Sequence, residues 1–462
     1  MQNFWDFSVW GGIHLVAVLL VSLLTANMIK RSVPFLRNSL IPTSVLGGIL
    51  LLLLSIAYKA ITGNVLFDTA LFGGSGMQNL EVITYHALAL GFIATSYKPA
   101  REKLTGKRRA EIFNTGVTTV SMYLLQGVFG MAITIVAAMF ITGFFPAAGI
   151  LLPFGFGQGT GQALNYGNLY ELDYGFVGGK SFGLTIAALG FLSASLGGVI
   201  HLNILKKKNK IIHRGSEHSD ALGMDDVLGD DEIPMNGSMD KISVQMAWVF
   251  AAYFLTYLVM YGLGNLVPGL RSVLYGFNFL IGVLIATLIS SSVTALRRRG
   301  IVHRQYVNTF LMQRISGFFF DIMVIAGIAA IRLDVLENYW GIMLVLGVVG
   351  LVITYFYNLF VARKLFPEYA EEQFLAMYGM LTGTASTGVI LLRELDPNYE
   401  TPVADNLVYQ NVPAIVFGFP MMLLAALAPK QPILTLIILA AFFVVMQIIL
   451  FRRAIFLREK KK

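Results

Sequence analysis

Uncharged apolar runs, each long enough to cross a bilayer as a helix, recur from one end of this chain to the other. A helix rises about 1.5 Å per residue, so about twenty apolar residues span the roughly 30 Å of hydrocarbon. Eleven runs meet that length or come near it: residues 10–29, 39–61, 82–97, 112–142, 174–205, 243–263, 275–296, 315–331, 341–361, 404–428 and 432–451. The pattern predicts an all-α polytopic membrane protein. Composition agrees, since only 13% of the 462 residues are Asp, Glu, Lys or Arg, about half the share of a soluble domain. Disorder, collagen and an ordinary cytosolic enzyme are excluded. With no cysteine, disulfides, thiolate metal sites and thiol nucleophiles are excluded too. Residues 1–9 carry no Lys or Arg, and no small-residue cleavage site follows the first run, so no signal peptide is expected.

Two further segments do not read as ordinary spans. Residues 147–166 (AAGILLPFGFGQGTGQALNY) and 373–395 (QFLAMYGMLTGTASTGVILLREL) begin and end apolar, but their middles are crowded with Gly, Thr, Ser and Gln. Gly costs a helix about 1 kcal/mol relative to Ala. Charge decides how these segments run. Loops 30–37, 98–109, 206–214, 297–314 and 363–364 and the tail 452–462 hold 27 of the 34 Lys and Arg. The positive-inside rule places them in the cytoplasm. All fall on that side only if each odd segment enters and leaves by one face, the first from outside and the second from inside. The expected protein is multi-pass in the cell (inner) membrane, with its N-terminus outside and its C-terminus cytoplasmic. The formal charge of +8 then belongs to membrane topology, and no nucleic-acid partner is expected.

This layout contains two inverted repeats of five transmembrane helices, each with a re-entrant hairpin. They cover 10–205 and 243–428, joined by a cytoplasmic linker at 206–241 and followed by one extra helix at 432–451. Inverted repeats interrupted at matching places point to a secondary transporter with its site at the midplane. Broken helices present amide ends that favour anions, and unwound carbonyls that favour a small cation. In the first tip the candidate substrate ligands are Gln158, Gly159, Thr160, Gly161 and Gln162, with Asn165 beyond them. In the second they are Thr384, Ser386 and Thr387, with Thr382 and Gly383 as candidate sodium ligands. Neither tip contains a carboxylate, which suits an anionic substrate with a monovalent cation better than a calcium cage.

The run GQGTGQALNYGNLYELDYGF at 157–176 resembles the re-entrant loop of the sodium/glutamate symporter family. The stretch 315–420, through ISGFFFDIMVIAGIAAI and MYGMLTGTASTGVILL to NVPAIVFGFP, looks like the matching C-terminal half of a divergent member. The resemblance implies sodium-coupled uptake of L-glutamate, an anionic amino acid, with Na+ as coupling ion, no other cofactor, and a homodimer in the lipid bilayer. The alternative is a symporter of the same fold for another small organic anion or amino acid.

Charged residues inside spans are costly and should face the bundle interior. Asp321 is expected to bind sodium or to pair with a cation. Arg393, about 10 Å below the second tip if the returning arm is helical, could meet a substrate carboxylate, pair with Asp321, or snorkel to the cytoplasmic surface. Gln126, Asn278, Asn358 and Asn411 read as interhelical hydrogen-bonding groups. His14 and His86 read as satisfied interior histidines. No phosphate-loop lysine follows either glycine cluster and no nucleophile–base pair stands out, so neither nucleotide binding nor catalysis is expected. Because the chain has no cysteine of its own, the topology can be tested with introduced ones. A membrane-impermeant thiol reagent should label position 170 in intact cells and spare position 400; the reverse pattern would overturn the layout.

Overall fold

A computed structural model of the chain describes residues 4–97, 105–208, 240–268, 271–301, 307–397, 400–452 and 455. Most of the 206–241 linker, most of the 98–109 loop and the tail past 452 apart from residue 455 lie outside the described residues, as do residues 398–399 of the 397–403 loop. The order of helices is α1 (Phe7–Ser32), α2 (Pro34–Arg37), α3 (Thr43–Thr62), α4 (Gly76–Ser96), α5 (Gly106–Phe140), α6 (Leu151–Tyr174), α7 (Gly179–Lys207), α8 (Lys241–Leu266), α9 (Arg271–Gly276), α10 (Asn278–Arg298), α11 (Thr309–Ala329), α12 (Trp340–Leu365), α13 (Ala370–Thr382), α14 (Ala385–Arg393), α15 (Val403–Tyr409), α16 (Asn411–Leu427) and α17 (Pro432–Leu450). Among the described residues nine helices are long and apolar enough to cross a membrane, and the bent pair α15–α16 makes a tenth. The chain is an all-helical, multi-pass membrane protein. Large apolar side chains such as Phe356, Leu288 and Ile437 stand exposed on the outside of the bundle, a liability in water and an ordinary surface against lipid.

Helix ends extend beyond the apolar runs where polar residues cap them. α4 starts at Gly76 rather than near 82 because the Asp68 carboxylate receives the Met77 N–H at 3.0 Å. α5 starts at Gly106 because the Thr105 hydroxyl receives the Arg108 N–H at 3.3 Å, and α8 is capped by Asp240 in the same way. Capping satisfies amides that the first turn leaves open. The run at 404–428 is bent by 48° between Val403–Tyr409 and Pro413–Leu427, where Pro413 supplies no amide.

Two elements turn back on themselves. α6 has helical ends but breaks at Gly159, with φ 78° and ψ −170°. Phe154 and Tyr166, on either side of the break, stack with ring centroids 4.1 Å apart. Phe145, before the helix, stacks on Phe176, after it, at 4.7 Å. Both ends of this hairpin therefore lie together. α13 stops at Gly383, and α14 returns alongside it, where a Cβ on Gly379 would sit 2.9 Å from Gly388 Cα.

Six further helix pairs, among others, hold the bundle together. α1 packs on α3, and α8 packs on α10. α3 packs on α11, and α10 packs on α4; α7 packs on α12, and α16 packs on α5. α17 lies against α5 and α16, fastened by Gln447 Nε2 donating to Tyr357 Oη at 2.8 Å.

The two ends of the bundle differ. At the basic end Arg108 pairs with Glu111 at 2.7 Å and donates to Asn406 Oδ1 at 3.0 Å, and Lys107 pairs with Glu368 at 2.8 Å. There too the buried His201 spans from Tyr355 Oη (2.8 Å) to Glu371 (2.7 Å), and Arg363 reaches the same carboxylate at 2.9 Å. At the far end Lys180 lies 2.9 Å from Glu81 and 3.6 Å from Glu171, and Lys59 lies 3.4 Å from Asp334. The hydrogen bond from His201 and that from Arg363 outweigh burial and hold the Glu371 carboxyl below its ordinary value of 4.5. Its stabilisation is present above that ordinary value and is lost as pH falls through the lowered one. Glu371→Gln should lower stability in detergent at pH 7 by about 1–2 kcal/mol. Thermal unfolding read against the parent at pH 7 and below pH 4 checks it, the difference shrinking at the acid pH.

Candidate functional site

The first hairpin descends from the far end and the second rises from the basic end, and their tips meet halfway down α7. Gly190, near the middle of α7, lies against both: a Cβ there would be 2.6 Å from Thr382 O and 3.2 Å from Phe156 Cα. The break in α6 faces the break after α13 directly. A Cβ on Gly159 would sit 3.4 Å from Thr384 Cγ2 and 3.8 Å from Gly383 O. Only glycine adopts the Gly159 backbone without strain.

Four helix ends converge here. The leading arms, 151–158 and α13, point their C-termini at the junction. The returning arms, 160–174 and α14, point their N-termini at it. Partial negative and partial positive poles therefore alternate around one small volume. Three of the four ends are tied to a neighbouring helix. Tyr123 Oη on α5 donates to Gly157 O at 3.0 Å, and Gln126 Nε2, one turn along, donates to Leu381 O at 3.0 Å. Thr160 Oγ1 donates to Met323 O on α11 at 3.2 Å.

The candidate residues divide by access. Gln158 and Thr384 are half-buried and Ser386 is exposed, so these three can face a ligand. Thr382 and Thr387 are fully buried. Thr382 Oγ1 donates back to Tyr378 O at 2.6 Å, and Thr387 Oγ1 lies 3.3 Å from Thr384 Oγ1, so both hold the second tip in shape. Gly161 is a packing residue, since a Cβ there would be 2.8 Å from Leu88 Cδ1 on α4. Gln162 is buried with its Nε2 unpartnered among the described residues. It receives Asn165 Nδ2 at 3.4 Å, and Asn165 also donates to Gly276 O at 3.3 Å.

Two expected ligands lie away from the junction. Met323 and Gly327 form the side of α11 that meets Thr160. Asp321 lies on the side of Ile325 and Ile328, which meet Gly48 of α3, and its carboxyl is beside Ser44. Arg393 is exposed at the C-terminal end of α14, a helix length from Thr384. His14 and His86 are hydrogen-bonded, to Leu71 O at 2.8 Å and Tyr253 Oη at 2.6 Å, but they are not interior histidines, since His14 is half-buried and His86 is exposed.

Sequence reasoning missed a cavity of about 630 Å³ at the far end, between α4, the returning arm of α6, α9 and α16. Asn165 lines it, as do Glu81, Tyr85, Lys180, Tyr275 and Arg332. Lys180 sits beside Glu81 and Glu171, on the wall of this cavity. The signal was a lysine directly after the glycine turn that follows the first hairpin.

No family model and no curated protein matches this sequence.

The two glycines of the first tip should behave differently. Gly159→Val should disrupt the junction, because a β-branched residue cannot hold φ near 78° without strain of about 1–3 kcal/mol. Gly161→Ala should cost stability through its clash with Leu88, while Ser386→Ala should leave it unchanged. Thermal unfolding of the three purified variants checks the order; destabilisation by Ser386→Ala equal to that by Gly161→Ala would show that Ser386 is a packing residue.

Proposed function

We propose that this chain is a secondary active transporter, a sodium-coupled symporter for L-glutamate. In this reading the hairpins are re-entrant loops of two inverted five-helix repeats, and the substrate binds where their tips meet. The observation that carries it is the contact between Gly159 and Thr384, two helix breaks from distant parts of the chain brought together midway between the ends of the bundle. The corresponding helix pairs, α1–α3 with α8–α10 and α3–α11 with α10–α4, support the repeat. Irregular backbone at membrane depth is tolerated where protein or a water-filled cavity covers it; the first tip is covered by protein, and in this reading the exposed start of α14 faces such a cavity. The N-terminal poles of the returning arms suit a carboxylate, with Gln158, Thr384 and Ser386 as polar contacts. The cavity at the far end, with Lys180 and Arg332 on its wall beside Glu81 and Asp173, would admit an anion from that end, which this reading puts outside the cell. A homodimer embedded in the bilayer is part of the proposal.

One observation favours the same fold with a different cargo. Neither Gly157–Gln162 nor Thr382–Gly388 contains a cationic side chain, and Arg393 lies at the far end of α14. A second carboxylate on the substrate would lack a guanidinium partner, so another small organic anion or amino acid with one carboxylate is the alternative cargo.

Uptake of labelled glutamate into proteoliposomes under an inward sodium gradient tests the proposal. Expected is saturable uptake that collapses with the gradient, is abolished in Gly159→Val, and shows a severalfold higher KM in the Thr384→Ala, Ser386→Ala double variant. Competition by a panel of amino and organic acids separates the cargoes. Non-saturable flux independent of sodium would indicate a channel and sink the proposal.

A further inference from the structure

The interior of the bundle holds a polar group that its protein neighbours leave half satisfied. Gln126 on α5 is fully buried. Its amide nitrogen donates to Thr354 Oγ1 at 2.9 Å and to Leu381 O at 3.0 Å, so both of its N–H groups are used. Its Oε1 is buried with no hydrogen-bond partner among the described residues. The assignment of oxygen and nitrogen follows from Leu381 O, which can only accept. A second amide repeats the pattern one turn along α12. Asn358 is buried, donates to Thr354 O at 2.8 Å, and leaves Oδ1 unpartnered. An orphaned acceptor at this depth costs about 1–3 kcal/mol, and both orphans here are carbonyl oxygens.

The surroundings of Gln126 are acceptors as well. Leu381 O belongs to the last turn of α13, whose closing carbonyls have no following helical amide. Tyr123, on the same face of α5 and three residues earlier, holds Gly157 O at the end of the other leading arm at 3.0 Å. The negative poles of both leading arms are therefore gathered onto one stretch of α5, the stretch that carries the unpartnered amide oxygen. Main-chain carbonyls with a second lone pair to spare, beside an amide oxygen that has no donor, in a place with no acidic side chain at hydrogen-bonding distance, describe a seat for a hard monovalent cation rather than for a proton or a divalent metal.

We propose that Gln126 Oε1 is the side-chain ligand of a sodium site between α5, α12 and the end of α13, completed by terminal carbonyls of the two leading arms. Thr354 is its positioning residue, holding the amide so that the oxygen faces inward. This rests on the symporter reading and names the seat of its coupling ion, which is neither Asp321 nor the hydroxyl of Thr382.

Thermal unfolding of the full chain in detergent, without substrate, tests it by titration with NaCl against choline chloride at constant ionic strength. The parent should be stabilised by NaCl and much less by KCl. Gln126→Met, which keeps the volume and removes the oxygen, should weaken the apparent sodium affinity by tenfold or more, about the loss that altering one partner of a metal site causes. Gln126→Glu keeps an oxygen there and should retain or strengthen the response, which guards against a Met variant that simply folds poorly. A sodium response unchanged in Gln126→Met would overturn the proposal. So would a parent indifferent to sodium, since a buried water would then satisfy the amide. Glutamate uptake measured on the same proteins keeps the readings apart. Sodium binding that needs Gln126 without glutamate uptake would leave the site standing and remove the cargo; sodium-driven uptake indifferent to Gln126→Met would do the opposite.

Discussion

The contact between Gly159 and Thr384 is the point on which the rest of the structure converges. A helix broken in the middle of an apolar bundle leaves amides and carbonyls that nothing in hydrocarbon can satisfy. Bringing two such breaks together, and walling them with polar groups from α5 and α11, removes that penalty. Tyr123, Gln126 and Thr160 each make one bond to a main-chain carbonyl at or opposite a break. The aromatic cluster of Phe145, Phe176 and Tyr339 at the far end, and the Glu371 network at the basic end, then fasten the open ends of the hairpins. Each hairpin is held at its mouth by aromatic or ionic contacts and at its tip by hydrogen bonds from helices that pass straight through.

Small residues make these approaches possible. Gly130 and Gly149 touch backbone to backbone, as do Gly167 and Gly179, so the first hairpin lies tight against α5 and α7. Close packing by small residues is the usual means of helix association where no hydrophobic force acts between helices. Most glycines of the first hairpin serve this purpose, and Gly159 alone serves the break.

Much of the fold was legible in the sequence because apolar run length and glycine content are local properties. The two interrupted segments and their positions follow from reading a few residues at a time, but which glycine makes each break does not. The division of labour within the tips was not legible. Gly159 and Gly161 are alike in sequence, and only the presence of Leu88, more than a turn-long loop and a helix away, makes one a packing residue. Asp321 read as a ligand because a lone carboxylate in a span is costly. Its placement beside Ser44 depends on how α11 is rotated between α3 and α6, which the spacing of its apolar residues does not determine. Gln126 read correctly as a group that joins helices, but one free oxygen on its amide is a property of three-dimensional satisfaction and leaves no mark on the sequence.

Electrostatics links the proposed cargo to the proposed coupling ion. The junction contains no ionised side chain among its tip residues, only helix poles of both signs, so a lone anion or a lone cation there would lose hydration and gain only partial charges in return. If the carboxylate of the substrate lies at the amide poles of the returning arms and sodium lies at the carbonyl poles of the leading arms, each ion supplies the missing counter-charge for the other. The two then bind more tightly together than separately, and by linkage the advantage is equal in both directions. Coupling in such a site needs no conformational relay, because the same small volume that makes the broken helices mutually satisfying also makes their two ligands mutually dependent.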